Sequence, residues 1–142
     1  MLKPYYMHKG FLVTASIFGA LSVVLGAFGA HALKKIVSPE SVATFETGVR
    51  YQFYHTFALL AVAILYQSFP GKWMTGAGWL FIVGIILFSG SLYALTALKA
   101  TNAVGLRGIG IITPFGGLLF VAGWICLLLA VLSSPSNPTK SL

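Results

Sequence analysis

Aspartate is absent from this chain, glutamate occurs only at Glu40 and Glu46, and the one cysteine is Cys126. Each shortage excludes something. With so few carboxylates, the acid that orients a catalytic histidine has almost nowhere to come from. A Ser–His pair, Ser89 or Ser91 with His55, is the most that hydrolytic chemistry could draw on. A lone cysteine rules out a disulfide within the chain and any cysteine-based metal cluster. Cys126, inside an apolar run, reads as a small buried hydrophobe. Charge is scarce overall, at 8% of residues, against about 25% in an average soluble domain. With 58% hydrophobic residues and a mean hydropathy of +0.92, the chain lacks the polar groups to cover a surface in water. The solvent for most of it must be lipid.

What charge there is leans basic, with a net charge of +7. Lys3, Lys9, Lys34, Lys35, Arg50, Lys72, Lys99, Arg107 and Lys140 are spread through segments that flank apolar runs. That is the pattern of membrane-edge anchors, not of a basic stripe for nucleic acid. Four apolar spans follow: Phe11 to Ala32, Val49 to Phe69, Trp73 to Leu98 and Ile109 to Leu132. Each has roughly the 20 residues that a hydrocarbon core of about 30 Å requires. In lipid the backbone must satisfy itself, so all four are expected to be helices. The fold class is an all-α, four-helix membrane bundle, with one domain over residues 1–133 and a polar, flexible tail over 134–142. The first span ends in an A-x-A-like site, Ala30-His31-Ala32, but its apolar run exceeds a signal core and is expected to be permanent. Four crossings put both termini on one side of the inner (plasma) membrane. The basic residues divide four to five between the faces and give no orientation.

Between spans one and two, Ser38-Pro39 reads as an N-cap with proline at the first helical position. Val42, Phe45 and Val49 then recur at helical spacing, which predicts a short amphipathic helix at the interface, bending near Gly48 into span two. Glu46 and Arg50 stand four apart in the favourable order for an ion pair. Ala15, Gly19, Ser22, Gly26 and Gly29 form one stripe of small side chains on span one, and Gly116, Gly123 and Ala130 recur on span four. Lipid gives no hydrophobic drive to pair helices, so such stripes are read as close-packing seams.

His31, at the end of "LGAFGAHALKK", lies off that stripe, turned about 200° from Gly29. Other polar groups share its depth: Arg50, Tyr51 and His55 on span two, Ser89, Ser91, Tyr93 and Thr96 on span three, and Thr113 beside Pro114 on span four. Isolated polar groups in lipid are costly, so these are expected to turn inward and bond one another. Both imidazoles are expected in one network with Tyr93 or Ser89. Such a cluster can fix the bundle, hold a lipid or quinone headgroup, or line a proton or solute path. The last is weakened because no charged residue lies at mid-span. His31 and His55 could ligate haem iron axially, but two histidines are a weak signal. No metal site is expected.

The stretches "LGAFGAHAL", "FETGVRYQFYHTFALL", "LFSGSLYAL" and "TPFGGLLFVAGW", in that order, resemble the family called domain of unknown function 423, small bacterial inner-membrane proteins similar to eukaryotic transmembrane protein 256. The resemblance spans about residues 11–126 and implies a compact four-span membrane protein without an established activity. Its motifs fall on Gly26, Gly29, His31, Arg50, Tyr51, His55, Ser89, Ser91, Tyr93, Thr113, Pro114, Gly116 and Gly117. The expected function is a non-enzymatic accessory or lipid- or quinone-binding unit with a polar pocket near one face. The alternative is a minimal channel or transporter assembled as an oligomer. Membrane lipid is the expected partner, with a homo-oligomer or larger membrane complex as the alternative and no resident cofactor.

Overall fold

The computed structural model describes residues 6–101 and 108–133. These form four helices, α1 (Lys9–His31), α2 (Pro39–Leu65), α3 (Lys72–Ala100) and α4 (Ile109–Leu132), with a short 3-10 turn at Leu33–Lys35 after α1. Lys3, Arg107, Lys140 and the tail lie outside the described residues.

Local chemistry sets the helix ends. His8 opens α1: its Nδ1 accepts from the Phe11 amide at 3.2 Å, and its own amide donates to Ala63 O at 3.0 Å. One residue therefore caps α1 and ties its start to the end of α2. Ser38 caps α2 by accepting from the Ser41 amide, with Pro39 at the first position and Glu40 in the first turn, where the helix dipole favours a negative charge. The α2–α3 turn passes through Gly71 at φ 146°, a conformation open to glycine and costly for other residues.

The segment expected as a separate interfacial helix is the start of α2, which runs uninterrupted through Gly48. Gly48 is buried in a contact: a Cβ there would stand 3.3 Å from Leu92 Cβ. It therefore serves the close approach of α3 and not a break in the helix.

Neighbouring helices pack antiparallel in chain order. Gly29, Gly26 and Gly19 of α1 meet Phe45, Val49 and Thr56 of α2. Tyr66 near the end of α2 bonds Thr75 near the start of α3, and Thr96 of α3 reaches back to Ser41 O. Gly116 and Gly123 of α4 meet Phe88 and Phe81 of α3. The core lies between α2 and α3, where Leu59, Val62, Met74 and Phe81 are fully buried. Phe11 enters it from α1 and Phe120 from α4.

The stretch Lys9–Lys35, α3 and α4 are each long and apolar enough to cross a membrane. Although 27 residues long, α2 does not share that composition, because Glu46, Arg50, Gln52 and His55 interrupt its apolar character. Gln52, His55 and Thr56 are instead buried against the neighbouring helices. The outward faces of the other helices carry exposed Ile17, Val23, Trp79, Ile86, Leu118 and Leu128, which suits a hydrocarbon surround.

Candidate functional site

The polar residues expected to form one network divide into separate groups. The first joins α2 to α4. His55 lies one turn after Tyr51, and its Nδ1 is 2.8 Å from Tyr51 O. A carbonyl only accepts, so Nδ1 carries the proton and Nε2 is left as an acceptor. The Trp124 indole N–H donates to Nε2 at 3.3 Å. Phe120 stacks on the imidazole at 3.5 Å between centroids, and Tyr51 packs on Phe88 at 4.6 Å. With both ring nitrogens engaged and 7% of the residue exposed, His55 acts as a packing element between helices.

The second group joins α1, α2 and α3. Gln52, 4% exposed, donates from Nε2 to Phe18 O of α1 at 3.1 Å. Its Oε1 accepts from the Tyr93 hydroxyl of α3 at 2.9 Å. The Ser22 hydroxyl also donates to Phe18 O. The third group joins α3 to α4. Ser91 Oγ donates to Phe88 O at 2.8 Å, which leaves the Thr113 hydroxyl to donate to Ser91 Oγ at 2.6 Å.

His31, Arg50 and Ser89 join none of these groups. His31 is exposed at the last turn of α1, so the expected His31–His55 network is corrected. The reason is azimuth. Gly29 faces Phe45 of α2, and a residue about 200° further round points away from α2. Ser89 Oγ is fully buried and, like Thr56 Oγ1, has no hydrogen-bond partner among the described residues. Gln52, Trp124 and Phe120 were not singled out from sequence. Gln52 carried a usable signal, since an amide inside an apolar run must find partners or be costly.

Arg50 opens onto a different feature. A groove of about 430 Å³ runs along the α1/α2 seam, floored by Ser22, Gly26 and Gly29 and walled by Val23, Glu46, Val49, Arg50 and Phe53. A smaller cavity of about 140 Å³ adjoins it at Phe53 and continues along the same seam past Gly19, Thr56, Phe57 and Leu60. Glycine on α1 makes this groove: Cβ atoms at Gly26 and Gly19 would find only Val49 Cγ1 and Thr56 Cγ2, both at 3.6 Å. Along α2 the lining residues run Glu46, Val49 and Arg50, then Phe53, Thr56, Phe57 and Leu60, so both charges stand at the end nearest the start of α2 and the remainder is mainly apolar.

A family model described as "Protein of unknown function (DUF423)" matches residues 25–117. The UPF0382 membrane protein YwdK of Bacillus subtilis is 40% identical over 123 residues, covering 86% of this chain and 95% of that one. A UPF0382 membrane protein of Haemophilus influenzae is 41% identical over 122 residues, covering 85% of this chain and 92% of that one. The UPF0382 inner membrane protein YgdD of Escherichia coli is 37% identical over 121 residues, covering 85% of this chain and 88% of that one. No solved structure matches. With most of its length matched by the family model and by relatives nearly end to end, the chain belongs to the DUF423 family of membrane proteins.

Proposed function

We propose that this protein is a non-enzymatic, four-span membrane protein that holds one membrane lipid in the α1/α2 groove. The observation that carries the reading is the order of side chains along the groove. Glu46 and Arg50 stand at the end nearest the start of α2, and beyond Arg50 the α2 wall is Phe53, Phe57 and Leu60 with Thr56 among them. A lipid has the same order, charged head and then apolar chain. From Arg50 to Leu60 the helix rises about 15 Å, close to half of a hydrocarbon core of about 30 Å. The groove below the arginine thus suits a chain spanning one leaflet. Arg50 can extend its guanidinium toward the headgroup layer while its stem stays in the apolar zone.

In this reading α2 crosses the plasma membrane with the other three helices, and both termini lie on one side. The polar residues of α2 are tolerable at that depth because Gln52 and His55 are bonded to neighbouring helices.

Native mass spectrometry with lipids retained tests the site. The parent protein should carry a reproducible lipid mass. Gly26→Leu, which grows a side chain into the groove, should lose most of it, while Gly26→Ala should keep it. A bare parent chain, or a lipid mass unchanged in Gly26→Leu, would overturn the reading. The crossing of α2 is tested by cysteine labelling in a Cys126→Ala background, with probes at Lys35 and Gln67, both exposed and flanking α2. They should label from opposite sides; labelling from one side would remove α2 from the membrane.

A further inference from the structure

We infer that the lipid in this groove is one whose headgroup carries a phosphate and a primary ammonium, with the phosphate against Arg50 and the ammonium against Glu46; the inference rests on the lipid reading above. Both residues are exposed and both line the groove. They are the charged side chains on its wall, so a headgroup entering there meets one cation and one anion together.

Their order along the helix is informative. Chain direction places Glu46 one turn nearer the start of α2 than Arg50, a rise of about 6 Å. The apolar part of the groove lies on the other side of Arg50. Moving outward from the acyl region, the protein therefore presents cation, then anion. An aminophospholipid, moving outward from its chains, presents phosphate, then ammonium. The two dipoles match in sequence and in approximate spacing, and each contact is a charge-assisted hydrogen bond.

The alternatives fit less well. A headgroup that is only anionic satisfies Arg50 and places its charge beside the Glu46 carboxylate, where like charges repel. A choline headgroup has the same charge order, but its quaternary nitrogen has no N–H to donate to a carboxylate.

Lipid competition followed by native mass spectrometry tests this. The delipidated protein is offered equimolar phosphatidylethanolamine, phosphatidylcholine and phosphatidylglycerol of matched acyl chains. The parent should prefer phosphatidylethanolamine by roughly three- to fivefold, the scale of an exposed ion pair. Glu46→Gln should erase the advantage over phosphatidylglycerol, and the doubly exchanged Glu46→Arg, Arg50→Glu protein should lose the preference while still binding lipid. Glu40→Gln, exposed on the same helix but off the groove, should leave the preference unchanged. Lipid bound without headgroup preference, or with phosphatidylglycerol preferred, overturns this inference and leaves the lipid site standing. A parent that binds no lipid removes both.

Discussion

Where α3 meets α4, three glycines are places where a phenylalanine goes: Gly84 takes the Phe120 ring, Gly123 the Phe81 ring, and Gly116 the backbone of Phe88. Where α1 meets α2, Gly19 and Gly26 leave space beside them, and that space is the groove. The same residue type at similar helical spacing thus does two different things. Small residues let helices approach closely in lipid, but close approach follows only if the partner helix supplies something to fill the gap. α3 and α4 supply aromatic rings to each other. Opposite Gly26, α2 supplies Val49, which stops short. The polar bonds differ in the same way. Ser91 and Thr113 join their short hydroxyls across the tight seam, whereas the longer Gln52 amide makes the side-chain bond from α2 to Phe18 O of α1.

The largest effect should come from the tight seam. In Gly116→Ala the new Cβ would stand 2.7 Å from Phe88 Cα and closer still to Phe88 N. Backbone cannot rotate aside, so α4 must shift. A loss near the upper part of the roughly 1–3 kcal/mol range for overpacking is expected, read as thermal unfolding in detergent. A protein that melted like its parent would show that α3 and α4 are not packed this way.

Next in size is the amide that holds α1. Gln52→Met keeps the volume but removes the bonds to Phe18 O and Tyr93, and should cost about 1–2 kcal/mol. Tyr93→Phe removes one of the same bonds, so the two changes should not add. A coupling of about 0.6 kcal/mol is expected from a double-mutant cycle, the average for such bonds in membranes. Strict additivity would mean that the hydroxyl and the amide do not meet.

The histidines give a smaller contrast. His55 is bonded and stacked, and His31 is exposed with no partner in common. His55→Ala should destabilise the α2/α4 contact, His31→Ala should change little, and the pair should add within about 0.5 kcal/mol. A clear coupling between them would restore the shared network that the sequence suggested.

Much of the fold was legible because it depends on one-dimensional features. Apolar runs, the Pro70-Gly71 break and the Ser38-Pro39 cap locate helix positions within a few residues, and α4 occupies the span drawn for it. The continuity of α2 through Gly48 was not legible. A glycine such as Gly48 is equally consistent with a bend and with a close contact, and only the presence of Tyr93 and Leu92 opposite it decides. The site was less legible for the same reason. Sequence gives the depth of a polar residue in the membrane, but direction depends on which neighbour lies where. His55, Ser91 and Tyr93 share a half of the bundle and still turn to different partners, while His31, at the same end, is exposed.

The smallest effect, and the one with the opposite sign, belongs to the open seam. A Cβ at Gly26 would meet Val49 Cγ1 at 3.6 Å, an ordinary van der Waals contact, so Gly26→Ala adds contact without a clash. Alanine also loses less backbone freedom than glycine on entering a helix, worth about 0.5–1 kcal/mol in water. Gly26→Ala should therefore melt at or slightly above the parent, while the same change at Gly116 lowers stability. The pair is informative because chemistry, helix context and residue type are held constant and only the filling of the seam differs. Equal losses at both positions would mean that α1 and α2 close as tightly as α3 and α4, leaving no groove beneath Arg50 for a lipid chain to enter.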